Sequence, residues 1–149
     1  MKAKEPIGRF DHIGFAVHSI EEARKFWEDQ MGASLVQLTD HHSGDFKLGI
    51  FDLDGLCVEL LEPINPDGFL AKYLEKRGEG IHHITLQTKN LEEKTDALEA
   101  SGVRVVDRHL SKEEGGVDAF LSPKSTHGVL IQLGENVGPL NSKPYWEET

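Results

Sequence analysis

Cysteine is almost absent from this chain, and so is any long apolar stretch. A single cysteine, Cys57, leaves no partner for an intrachain disulfide and points to a reducing, cytoplasmic compartment. No apolar run reaches the length a membrane-spanning helix needs, and the N-terminus shows no signal-peptide apolar core. Basic residues are scarce: 16 Lys and Arg stand against 26 Asp and Glu, for a formal charge of −10. Nucleic acid and anionic membranes are therefore not expected as partners, since both need clustered cations to displace counterions. A small anionic ligand needs only a local basic patch and stays open. At 149 residues the chain suits one compact domain, or two half-domains sharing a core.

What is present is one module written twice. Gly80-Ile81-His82-His83-Ile84 repeats Asp11-His12-Ile13-Gly14, with His83 following His12 by 71 positions. Farther on, Ile131-Gln132-Leu133 repeats Val58-Glu59-Leu60 at an offset of 73. The punctuation repeats too. Ser19-Ile20-Glu21-Glu22 reads as a capping box, and Asn90-Leu91-Glu92-Glu93 echoes it. Gly32 and Gly102 mark the two helix ends.

Each copy reads βαβββ. In the first, Phe10 to Val17 alternates, with Ile13, Phe15 and Val17 on one face and His12, Gly14 and Ala16 on the other. The second face is small apart from His12 and suits the wall of a cavity. A helix with Ala23, Phe26, Trp27 and Met31 at helical spacing follows. Strands are expected at Ser34–Leu38, Phe46–Asp52 and Leu56–Leu61, the last two joined by an Asp54-Gly55 hairpin turn. The second copy is expected to place strands at Ile81–Thr88, Arg104–Arg108, Val117–Leu121 and Gly128–Leu133, with a helix over Leu91–Ser101. The resulting division is module one at about 10–62, an ordered linker helix within 63–79, module two at about 80–134 and a tail over 135–149. Met1 to Arg9 reads as a loose lead-in. The tail carries Tyr145 and Trp146, which could dock it.

His12, Glu59, His83 and Gln132 fall at equivalent places in the two copies. If the copies pair about a pseudo-twofold axis, two imidazoles, a carboxylate and a carboxamide oxygen form a mixed site for a divalent ion. A lone strand histidine is more often a core or surface residue than a ligand. Four polar residues at matched positions weigh against that reading. His82 should face away from His83 and make a poor ligand. His41 and His42 read as solvated, and Lys112-Glu113-Glu114 as a solvated charge run. His18, His109 and His127 show no partner spacing. Cys57 shares strand parity with Glu59.

These stretches, with Glu62-Pro63, Leu74 through Gly80 and Pro123-Lys124-Ser125, make the sequence resemble the vicinal oxygen chelate superfamily (the glyoxalase, bleomycin resistance and dioxygenase proteins). Within it, the methylmalonyl-CoA epimerase-like branch is the nearest. The resemblance runs from about Phe10 to Leu133. It implies an α+β fold in which two βαβββ modules, related by a pseudo-twofold, form a U-shaped mixed sheet around a metal cleft. It implies a metal held by His12, Glu59, His83 and Gln132, with Zn as first expectation and Co, Ni or Mn as alternatives. The activity implied is proton transfer at a carbon alpha to a carbonyl, on a small molecule such as an acyl-CoA, in a homodimer. Alternatives within the family are a glyoxalase I-like lyase and a non-catalytic, resistance-type binding protein. Two positions depart from the branch. Gln132 stands where glutamate is usual, and Lys47 stands near the usual glutamate base. Glu59, where some epimerases carry glutamine, becomes the candidate base, and Lys47 a cation for an acyl carboxylate.

Overall fold

The computed structural model describes residues 5–111, 113, 116–136 and 138–148. Lys112 and Glu114 of the charge run therefore lie outside the described residues. The chain divides into two compact units, one spanning 12–83 and the other joining 1–11 to 84–149.

In the 12–83 unit the strand order is β2-β3-β4-β1, from β1 (Arg9–Ala16), β2 (Ser34–Asp40), β3 (Phe46–Leu53) and β4 (Leu56–Pro63). β1 runs parallel to β4, and the other pairs are antiparallel. Asp54 and Gly55 turn the β3–β4 hairpin with φ of 50° and 90°, as a primed turn requires. One face of this sheet packs on α1 (Ile20–Arg24) and the π-helical turn Lys25–Gln30 that extends it. Val17, Ile20, Phe51, Val58 and Leu60 form that core, with Trp27 against it. The wide turn changes the helical phase. Ala23 and Trp27 pack inward, but Phe26 and Met31 are 52% and 47% exposed, contrary to the spacing read from the sequence. On the other face, α2 (Phe69–Arg77) lays Leu70 and Leu74 against Ala16, Phe46 and Leu61. The linker helix is therefore ordered, as the sequence suggested.

In the second unit, β6 (Val105–His109), β7 (Asp118–Leu121) and β8 (Ile131–Gly134) join β5 (Gly80–Gln87), whose residues up to His83 belong to the 12–83 unit, in the order β5-β8-β7-β6. β5 and β8 are parallel and the rest antiparallel, as in the first copy. The helix α3 (Leu91–Ala100) closes a core of Leu91, Val117, Ala119, Leu121 and Leu133. Ile7 packs against that core and its carbonyl accepts from Lys94 at 3.0 Å, so the end of the lead-in is held rather than loose. The tail docks through the Tyr145 amide, which donates to Gln87 Oε1 at 2.9 Å.

The caps depart from the sequence reading. Ser19 accepts from Glu22 N–H at 3.2 Å, as a capping serine should. Asn90 instead adopts a left-handed conformation, φ 56°, with no side-chain cap bond. Its helix is capped by Glu135, whose Oε1 accepts from Leu91 N–H at 2.6 Å. Glu62 does the same for Ile20 N–H at 2.8 Å. A carboxylate at a helix N-terminus meets both the orphan amide and the positive end of the dipole.

Candidate metal centre

Strand register assembles the site. β1 lies on β4 with His12 opposite Cys57 and Gly14 opposite Glu59. Paired residues share a face, so His12, Gly14, Cys57 and Glu59 all point to the side away from α1. Gly14 makes room there. A Cβ on it would stand 2.4 Å from Cε1 of the His83 imidazole. The glycine is the floor on which the second histidine lies.

The three side chains then meet. His12 Nε2 is 3.5 Å from Glu59 Oε2, and His83 Nε2 is 3.6 Å from Glu59 Oε1. The imidazoles stand edge to face, centroids 5.6 Å apart. Their ligand atoms lie within 4.8 Å of one another, and all three residues are buried. The His83 pKa is lowered to about 3, first by burial and then by the neighbouring His12 and His82. His82 is lowered to about 4 by burial. Neutral imidazoles are the ligand form. The carboxylate among them adds the anionic oxygen a dication favours, and an ion would offset the cost of burying that charge. The donor set fits a divalent metal held through two nitrogens and one carboxylate.

Other histidines differ from expectation. His41 is not simply solvated: its ring stacks on Phe46 at 4.3 Å and 15°. His82 contributes no atom to the cluster, yet its Nδ1 lies 2.9 Å from His83 Nδ1. His109 Nδ1 lies 2.8 Å from Asp118 Oδ1.

Lys47 is not brought to the cluster. β3 pairs with β4 so that Ile50 faces Glu59 and Lys47 faces Glu62. Glu62, three residues past Glu59, points to the opposite side of the sheet. Lys47 follows it, half-exposed, with its amine 3.9 Å from Glu62 Oε2. The β3 side chains on the Glu59 face are Phe46, Leu48, Ile50 and Asp52. The alternation of Phe46 to Leu53 carried this signal, once the register with β4 was fixed.

Gln132 sits on β8 in the other unit, and both ends of its carboxamide are engaged. Oε1 accepts from Thr85 Oγ1 at 2.8 Å, and Nε2 donates to Asp118 Oδ2 at 2.8 Å. Sequence reading missed Asp118, because nothing in its local pattern marks it. Register does: β7 pairs with β8 and carries Asp118 and Phe120 on the face of Gln132.

Residues 11–120 match the family model for the glyoxalase/bleomycin resistance protein/dioxygenase superfamily. Over 133 residues the chain is 35% identical to an uncharacterized Bacillus subtilis protein, YqjC, covering 89% of this chain and 95% of that one. Methylmalonyl-CoA epimerase from Mycobacterium tuberculosis superposes with a TM-score of 0.77 at 27% identity, over 94% of this chain and 95% of that one. A Streptomyces coelicolor methylmalonyl-CoA epimerase variant, in complex with 2-nitronate-propionyl-CoA, gives 0.72 at 30% identity, over 86% and 96%. With its mixed open sheet, few helices and buried His–Glu–His cluster, this chain belongs to the glyoxalase/bleomycin resistance/dioxygenase superfamily, has the vicinal oxygen chelate fold, and stands in it among relatives of methylmalonyl-CoA epimerase.

Proposed function

We propose that this protein is a metal-dependent epimerase or isomerase that moves a proton at the carbon beside the carbonyl of an acyl-CoA thioester. The observation that carries the reading is the convergence of His12, Glu59 and His83 in a buried site, ligand atoms within 4.8 Å of one another. His12 and His83 would hold the ion through Nε2, and Glu59 through one carboxylate oxygen. The ion supplies Lewis acidity toward a carbonyl oxygen and opposes the negative charge of an enolate. Glu59 has a second oxygen, which would take up the alpha proton; inversion is then completed when a proton reaches the carbon from its opposite face. Burial strengthens that step by excluding competing water. Gln132 is assigned the fourth ligand position on the repeat alone, as the counterpart of Glu59. Zinc is the first expectation for the metal. Lys47 has no role in this scheme. A homodimer in the cytoplasm remains part of the proposal.

A second reading, a metal-holding protein that binds its ligand without turning it over, has one observation in its favour. Ile50 stands opposite Glu59 with Leu48 beside it, and the acid of that face, Asp52, lies opposite Cys57 and accepts from the Gly55 amide at 2.7 Å. Two measurements separate the readings. Purified protein is expected to carry about one divalent ion per chain. Loaded with it, the protein is expected to exchange the alpha proton of a 2-methyl-branched acyl-CoA for deuterium. Metal without exchange, across a panel of acyl-CoA thioesters, would favour the binding protein. No metal uptake would end both readings.

A further inference from the structure

The residue beside the ligand histidine has a position of its own to keep. His82 Nδ1 lies 2.9 Å from His83 Nδ1, which leaves Nε2 as the His83 nitrogen near Glu59, at 3.6 Å from Oε1. His82 is fixed in turn by α2. Its ring meets Tyr73 edge to face at 4.8 Å and Phe69 at 5.9 Å. Tyr73 donates its hydroxyl to the Ile81 carbonyl at 2.9 Å, and Leu70 and Leu74 bury the helix that carries both aromatics. The place of the His82 ring is therefore set by a packed helix as well as by its strand.

Two Nδ1 atoms at that distance share one proton. With none, two lone pairs would oppose each other; with two, the N–H groups would collide. The sharing has two solutions for a neutral His83. If His83 donates, its Nε2 is bare and can bind a metal. If His83 accepts, Nε2 carries the proton and cannot. We propose that His82 is a positioning residue for the metal centre: it accepts the Nδ1–H of His83 and holds that imidazole in the tautomer and orientation that turn a bare Nε2 toward Glu59. Metal-bound imidazoles commonly donate their second N–H to a carboxylate, a carbonyl or water. Here a neighbouring imidazole, boxed by Tyr73 and Phe69, takes that role. This inference rests on the metal reading above.

Two substitutions separate hydrogen bonding from packing. His82→Phe keeps a ring against Tyr73 and removes the acceptor. His82→Asn keeps an acceptor near the Nδ1 position and gives up the ring. With Zn(II) alone, in competition with a chromogenic chelator, His82→Phe is expected to bind roughly ten- to a hundredfold more weakly than the parent. His82→Asn is expected to recover most of that affinity. Thermal unfolding of the metal-free proteins is expected to rank the two the other way, with His82→Asn the less stable. If His82→Phe holds zinc like the parent while His83→Ala has lost it, the inference is overturned and the metal reading stands. If zinc affinity only tracks stability across both variants, His82 is a packing residue and the inference is likewise overturned. If His12→Ala and His83→Ala both retain the parent's affinity, the metal reading falls and takes the inference with it.

Discussion

In the first copy of the module, Glu62 reaches from the end of β4 to the opening amide of α1. In the second, Glu135 reaches from just past β8 to the opening amide of α3. Both distances are short, and the two glutamates stand 73 positions apart, the offset that also relates Glu59 to Gln132. The scaffold device has survived duplication. The working faces have not stayed alike. Glu59 looks onto His12 and His83, with Ile50 opposite it on β3, whereas Gln132 lies in a hydrogen-bonded chain with Thr85, Asp118 and His109. At the strand place where the first copy has Leu48, the second has Asp118. One sheet face has kept metal-type donors beside Leu48 and Ile50. The other has gathered groups that satisfy each other. Position along the strand is inherited, while the chemistry at that position follows its cross-strand neighbours.

The strongest test of this asymmetry removes the charge from the first copy. Glu59→Gln would leave two neutral imidazoles and a carboxamide around a dication. Bound metal, read by elemental analysis, is expected to fall at least tenfold, and alpha-proton exchange to vanish with the base. Retention of both would break the comparison outright.

The reciprocal change tests the second copy. By charge alone, Gln132→Glu would strengthen a metal site that included this position. The structure adds a cost: the new carboxylate would take the place of an amide that donates to Asp118 Oδ2 at 2.8 Å. The single variant is expected to lose about 1–3 kcal/mol of stability in urea unfolding. Adding Asp118→Asn should recover most of it, because the two sites are in contact and couple. Additive losses would show that the hydrogen bond does not matter.

The strand that opens the second copy should also set a pH dependence. His82 and His83 are buried neutral, with folded-state pKa values of about 4 and 3 against 6.5 for the free side chain. Above pH 6.5 neither state takes a proton there and stability is full. As pH falls below 6.5 the unfolded chain binds protons that the folded one refuses, so stability drops until about pH 4 for His82 and about pH 3 for His83. The slope approaches about 1.4 kcal/mol per pH unit for each group. Melting curves of the metal-free protein between pH 7 and 4.5 check this, with His83→Ala flattening the slope. An unchanged slope would mean the ring is not buried neutral.

A smaller effect separates the two caps. Glu135→Ala is expected to cost about 1–2 kcal/mol, since Asn90 offers α3 no side-chain bond. Glu62→Ala is expected to cost less, because Ser19 still caps α1. Equal costs would remove the distinction. Smallest of all is Lys47→Ala. Its amine is half-exposed and 3.9 Å from its carboxylate, so stability should change by less than about 0.5 kcal/mol and metal content not at all.

The sequence by itself determined the duplication, the βαβββ order and the face of β1 that His12 shares with Gly14, because strand alternation and turn chemistry are local properties of the chain. It also marked His12 with His83, and Glu59 with Gln132, as matched pairs in the two copies, and the motifs around them carried the family resemblance. It could not say which face Lys47 takes, since that depends on Ile50, and not Lys47, pairing with Glu59 across a hairpin. Nor could it find Glu135 as the cap of a helix that begins 44 residues earlier. The space over Gly14, the His82–His83 contact and the bond between Gln132 and Asp118 are likewise settled by tertiary structure. Each is a meeting of side chains at hydrogen-bonding or contact range. Such meetings depend on pairing register, helix packing and rotamer together, and local pattern constrains only the first of these.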